Sequence, residues 1–487
     1  MLFNSFQYLI FFPIVVGVYF AIPHRYRWIL LLLASYYFYA CWKAEYLILI
    51  LASTLVDYFS GIMMGKTAQK RKRKKYLIIS LASNIGLLLG FKYFNFFSSS
   101  VQLIINQFNI FVDMPTFHVL LPVGISFYTF QTLSYSIDVY NGTRGAEKHL
   151  GMFALYVAFF PQLVAGPIER STRLLPALSV HHNFEYKRVT DGLRLVLWGM
   201  FKKVAIADRL AVLVNQVYNN PENYAGPEYS IATIFFAFQI YCDFSGYSDI
   251  AIGSAQVMGY PLTTNFRRPY FSKSIAEFWR RWHISLSTWF RDYVYFPLGG
   301  SRVRTRRLCF NLLAVFLISG LWHGAKLTFV IWGAVHGFYL VFSVLTKNIR
   351  HRISEMIGMK RKPNLVACSD IIVTFTLINL AWIIFRANST YDAMYIISHL
   401  HTGWGHVLSL SGIHESILSM DVTVTYFVLS LVMIVCMESI HLMQAHGSVR
   451  QMIESRPIWI RWSCYYLLIF CILLSDYNMH EFIYFQF

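Results

Sequence analysis

Gly320-Leu321-Trp322-His323-Gly324 interrupts an apolar run that extends from Cys309 to Leu345, too long for a single membrane-crossing helix. Arg302, Arg304, Arg306 and Arg307 precede the run, and a basic loop beginning at Lys347 follows it. A Lys/Arg bias of this kind places both flanks on the cytoplasmic side of a membrane. The first arm, Cys309 to Ser319, holds about a dozen residues, or roughly 17 Å of helix, against a hydrocarbon core of about 30 Å. On this reading His323 lies within the bilayer's depth at a helix break. Backbone freed by such a break is tolerated only inside protein or beside a water-filled cavity, and an ionisable group there is a functional-site candidate.

Working outward, the composition supports the same class. Charged residues are 14% of the 487-residue chain, against about 25% in soluble domains, and the mean hydropathy is +0.47. The expected fold is an all-α integral membrane protein of many helical spans. A net charge of +18 on so apolar a chain points to cytoplasmic loops meeting anionic headgroups. The basic residues interrupt hydrophobic spans, which argues against nucleic acid. The seven cysteines show no paired or metal-ligand spacing and read as core thiols. Phe6–Ile22 has no basic region before it, and Arg25 and Arg27 come after, so it reads as a retained span with the N-terminus outside.

Parity tests this topology. Phe6–Ile22 enters, Trp28–Trp42 exits and Tyr46–Met64 enters again, delivering the Lys66 to Lys75 charge run to the cytoplasm as the bias requires. Tyr76–Phe97 exits and Val119–Val139 returns. Gly151 to Gly166, ending in Pro161-Gln162-Leu163-Val164-Ala165-Gly166-Pro167, reads as a re-entrant dip. A span from about Gly192 to Val217 exits, and Ile231 to Met258 returns carrying Asp243 and Asp249. Asn265 to Arg307 is interfacial, and Phe278, Trp282, Ser285 and Trp289 fall at helical spacing, predicting an amphipathic helix over Ser274–Trp289. Asp370–Phe385 exits, Val422–Ile440 returns and Ile458–Leu474 exits, leaving Ser475–Phe487 outside.

No His-Glu-x-x-His, nucleophile elbow or P-loop is present, which sets aside the common soluble-enzyme chemistries. What remains is a set of polar groups at membrane depth or its edge: His283, His323, His336, Asp243, Asp249, Glu277 and Asn265. A lone histidine on an apolar helix face is ordinarily a hydrogen-bonded core residue. His323 instead sits at a break between two glycines, where backbone can approach a ligand closely, and neutral imidazole suits a general base near neutral pH. His283 stands open between an interfacial and a functional role. His336, thirteen positions after His323, reads as structural support. Asp243 and Asp249 read as caps or partners of the abundant arginines rather than as catalytic acids. The aromatic end Phe482-Ile483-Tyr484-Phe485-Gln486-Phe487 is either an interfacial belt or a segment that inserts into the protein and presents Tyr484.

Phe278-Trp279-Arg280-Arg281-Trp282-His283-Ile284-Ser285, Trp289-Phe290-Arg291-Asp292-Tyr293, Pro297-Leu298-Gly299-Gly300 and Gly320–Gly324 occur in that order. With Phe159–Ile168, Tyr241–Asp249, Phe385-Arg386-Ala387-Asn388-Ser389 and the aromatic end, they resemble the membrane-bound O-acyltransferase (MBOAT) superfamily, in its bacterial alginate O-acetyltransferase-like branch. The resemblance runs from the first span to the last residue. It implies one membrane domain over 1–487, with N-terminal spans in 1–110, a catalytic core in 117–346 and C-terminal spans and tail in 347–487. A central tunnel with a cytoplasmic entrance for a thioester donor is part of that pattern.

The family's catalytic histidine carries over to His323 and its second histidine to His283, with Tyr484 as an acyl relay. Arg280, Arg281 and Arg291 are candidates for the donor's phosphates. The expected donor is acetyl-CoA or another acyl thioester, with no bound cofactor or metal. The expected location is the bacterial inner membrane, with both termini extracytoplasmic. An SGNH-hydrolase-like periplasmic partner would then pass acetyl to an extracytoplasmic polysaccharide such as an alginate-like exopolysaccharide, cellulose or peptidoglycan. The rivals are D-alanyl transfer to teichoic acid by a sister branch, a proton-coupled transporter or flippase, and a scaffold for periplasmic enzymes.

Overall fold

The computed structural model describes residues 1–108, 115–116, 122, 124–164, 166–356, 362–475 and 482–483, with the backbone alone at 103, 104, 353 and 354. Among the described residues all regular structure is helical, without a strand. Six helical runs among the described residues are long and apolar enough to cross a membrane: Ala44–Lys66, Lys70–Gln107, Thr305–His323, Leu327–Leu345, Pro363–Arg386 and Val424–Met443. The chain is an all-α, multi-pass membrane protein. It forms two compact units, Met1–Val196 with Tyr247–Thr264, and Leu197–Gly246 with Asn265–Phe487. The 33-residue helix Gly226–Met258 begins in the second unit and ends in the first.

In the first unit the helices Leu47–Lys66, Lys70–Leu88 and Ile125–Asn141 are joined by a buried polar cluster. The Asp57 carboxylate accepts from Ser80 Oγ (2.5 Å) and Asn84 Nδ2 (2.9 Å). Asn84 Oδ1 accepts from Ser53 Oγ (3.1 Å) and Thr132 Oγ1 (3.0 Å). Interhelical hydrogen bonds of this kind help hold helices together where lipid gives no hydrophobic drive. Lys70–Gln107 is one 38-residue run, so the basic residues expected in a loop before Tyr76 instead form its first turns. Every residue from Phe153 to Val164 is buried, with a break at Phe159 between Leu150–Ala158 and Phe160–Leu163.

The second unit contains the stretch from which the reading began, and here two expectations are corrected. The first arm is the 19-residue helix Thr305–His323, about 28 Å long, because Gly320 does not break it. A Cβ on Gly320 would collide with the Phe329 carbonyl oxygen, and one on Gly333 with that of Phe316. The two glycines let Thr305–His323 and Leu327–Leu345 pack backbone to backbone, as small residues do between membrane helices. The break falls at Gly324, whose backbone is extended. His323 therefore ends the helix, 16 residues and about 24 Å beyond Arg307.

The second correction concerns the predicted Ser274–Trp289 helix, which is two short helices, Ile275–Arg281 and Ile284–Phe290. Ser274 caps the first by accepting from the Glu277 amide (3.2 Å). The helix stops because segment 265–267 takes its backbone groups: Arg267 N donates to Arg281 O (2.9 Å), and Ile284 N donates to Asn265 O (2.9 Å). Helical periodicity alone does not reveal that competition, since the partners lie 14 and 19 residues away.

Candidate active site

The break between the short helices puts His283 in the left-handed region (φ 42°, ψ 55°), unusual for a residue with a Cβ and found preferentially where surrounding structure enforces it. Asn265 is the enforcing residue. Its Oδ1 lies 3.2 Å from His283 Nδ1 and accepts from Ser285 N (3.1 Å) and Ser285 Oγ (3.0 Å). The backbone amide of Ser285 can only donate, which identifies the Asn265 atom as oxygen. His283 Nδ1 therefore carries the proton and Nε2 the lone pair. The ring is fully buried, and burial pushes its pKa down to about 3, so the imidazole stays neutral at physiological pH.

His323, at the end of its helix, is buried at 2% exposure. Its ring lies edge-on to Trp322 (centroids 5.0 Å), Trp332 (4.9 Å) and Phe385 (5.6 Å). Trp322 also lies 6.0 Å from the His283 ring. Residues 40 positions apart in sequence thus meet across one indole. This aromatic enclosure keeps bulk water from both imidazoles.

His336 is brought to the same cluster but plays another part. Its Nδ1 accepts from Trp279 Nε1 (3.3 Å), and its ring packs on Trp332 (4.8 Å) and Trp279 (5.0 Å). It links the Ile275–Arg281 helix to Leu327–Leu345.

Asp243 is buried and pairs with a lysine rather than an arginine: Lys203 Nζ lies 2.6 Å from its Oδ1 and 2.8 Å from Asp208 Oδ1. Lys202 Nζ, next in the chain, donates to Ser245 Oγ (2.8 Å). Asp249 falls in the other unit. Of the three arginines, Arg281 pairs with Glu277 (2.5 Å) and Arg291 with Asp292 (2.9 Å), while Arg280 is exposed. Phe482 and Ile483 are buried; Tyr484 lies outside the described residues.

Lys203 and Asp208 were not expected at the site, although two lysines and an aspartate inside an otherwise apolar stretch are themselves a signal. The roles of Trp322, Trp332 and Asn265 have no local signature. Each is defined by what folding brings beside it. Among the described residues no group of His, Cys, Asp and Glu is arranged to hold a metal ion.

A family model described as MBOAT, membrane-bound O-acyltransferase family, matches residues 148–385, which include both histidines. The chain is 40% identical over 403 residues to a protein of Pseudomonas aeruginosa named probable alginate O-acetylase, covering 81% of this chain and 75% of that one. It is 34% identical over 397 residues to a peptidoglycan O-acetyltransferase of Helicobacter pylori, covering 75% and 72%. To a teichoic acid D-alanyltransferase of Streptococcus thermophilus it is 26% identical over 281 residues, covering 54% and 68%.

Proposed function

Given that the chain belongs to the membrane-bound O-acyltransferase family and is an acyltransferase, we propose that it takes an acetyl group from a cytoplasmic thioester, such as acetyl-CoA, and delivers it for O-acetylation of an extracytoplasmic polysaccharide. His323 is the general base. It removes the proton from an acceptor hydroxyl, whose oxygen attacks the thioester carbonyl carbon; the C–S bond breaks and the thiolate leaves on the cytoplasmic side. A base positioned in this way contributes about 10²–10⁴-fold. His283, with its lone pair on Nε2, orients the acceptor or donor beside it. The hydroxyl is that of Tyr484 in a relay, and an SGNH-hydrolase-like partner moves the acetyl to the polymer. Of the arginines, exposed Arg280 is the one left to attract the donor's phosphates.

The observation that carries this reading is the pair of buried imidazoles on either side of Trp322, at the end of a helix whose other end bears the Arg-rich loop. A passage between the two aqueous sides, an inner-membrane location and extracytoplasmic termini belong to the same proposal. His323→Ala should abolish acetate released from the polymer by mild base, with the protein still inserted and folded; retained acetylation would overturn the assignment. Tyr484→Phe tests the relay separately, and full activity in that variant would remove it. D-Alanyl transfer has support in the more distant relatives alone, and D-alanine rather than acetate in the base-released fraction would establish it.

A further inference from the structure

A buried charged cluster in the second unit lies outside the chemistry above. Lys203 Nζ bridges the Asp208 and Asp243 carboxylates at 2.8 and 2.6 Å, with both aspartates and the lysine buried. The lysines come from a π-helical turn, Phe201–Ala207, a rare geometry that is frequent at functional sites. One positive charge between two negative ones leaves Asp243 with its second oxygen to satisfy. That oxygen, Oδ2, accepts from the backbone amide of Ile483 at 2.7 Å, a hydrogen bond between the Gly226–Met258 helix and the C-terminal segment 240 residues later. A buried carboxylate oxygen without a donor is costly, so the cluster holds a standing demand for that amide.

The neighbouring residue gives this contact its direction. The Phe244 ring lies 5.6 Å from Phe482 and 4.6 Å from His283. One side chain thus touches both the inserted tail and the second histidine, and Asp243-Phe244 seats the tail against the active site.

We infer that Asp243, held by Lys203, is the positioning residue that docks the C-terminal segment through the Ile483 amide, beside the Phe244 ring that also meets His283. The docking is independent of the chemistry; its role in turnover rests on the relay proposed above. The partner chemistry required is a bare backbone N–H followed by a hydroxyl, not a particular side chain at position 483.

Hydrogen–deuterium exchange of the detergent-purified protein reads the docking directly. In wild type the peptide spanning residues 475–487 should carry slowly exchanging amide. Asp243→Ala should speed that exchange by roughly tenfold to a hundredfold, with peptides from Thr305–His323 and Leu327–Leu345 unchanged. Ile483→Pro removes the donor and leaves the ion pairs intact, so it decides the matter if Asp243→Ala unfolds the protein. Faster exchange confined to the tail's remaining amides supports the latch. An unprotected tail in wild type, or unchanged tail exchange in Ile483→Pro, overturns it. In either released variant turnover should fall with the donor KM unchanged, which a general loss of structure would not produce. Full activity in Tyr484→Phe removes the relay while leaving the exchange result standing.

Discussion

Replacing Asn265 with alanine tests whether the geometry around His283 is what makes that histidine useful. The Asn265 carbonyl oxygen receives the His283 Nδ1 proton, the Ser285 amide and the Ser285 hydroxyl, at 3.0–3.2 Å. Removing it takes an acceptor from three buried donors, and each hydrogen bond lost is worth about 0.5–1.5 kcal/mol net. The left-handed backbone at His283, held at a cost of order 1–3 kcal/mol, loses its restraint at the same time.

The protein should therefore unfold at lower temperature, and the imidazole should lose both its tautomer and its place. A displacement of about 1 Å at a reacting group can cost 10²-fold, which sets the expected fall in acetyl transfer. The assay is thiol release from an acetyl thioester by purified protein, run as a double-mutant cycle with His283→Ala. If Asn265 acts through His283, the double variant should be no slower than His283→Ala alone. Additive losses, or an Asn265→Ala protein with wild-type rate and melting temperature, would refute the reasoning.

Two further outcomes follow from the same structure. Gly333→Ala puts a methyl group against the Phe316 carbonyl oxygen and should destabilise the helix pair by about 1–3 kcal/mol, measured by thermal unfolding in detergent. His283 should also make stability pH-dependent. Its folded-state pKa, near 3, lies below the ordinary value of about 6.5, so between the two the unfolded chain binds a proton that the folded one does not. Stability is then full above about pH 6.5 and falls as pH drops, by at most about 1.4 kcal/mol per unit from this group. His283→Gln should flatten that part of the profile, and an unchanged slope would show that the ring is not buried neutral.

Much of this protein is legible in one dimension because the membrane makes it so. Lipid demands apolar helices of a minimum length with internally satisfied backbone, and that demand is written locally in the apolar runs and the flanking arginines. Trp322-His323-Gly324 was readable for the same reason: an imidazole in an apolar run needs an explanation wherever the helices finally pack. The tertiary structure decided matters that depend on residues distant in the chain. Gly320 looked like a break and is a contact surface, because Gly333 comes to meet it. Ser274–Trp289 looked like one helix and is two, because Asn265 and Arg267 compete for its backbone. Asp243 looked like an arginine's partner and belongs instead to Lys203 and the amide of Ile483. Periodicity reports which face of an element is apolar, whereas a hydrogen bond or an ion pair is assigned only when folding brings its second partner within about 3 Å.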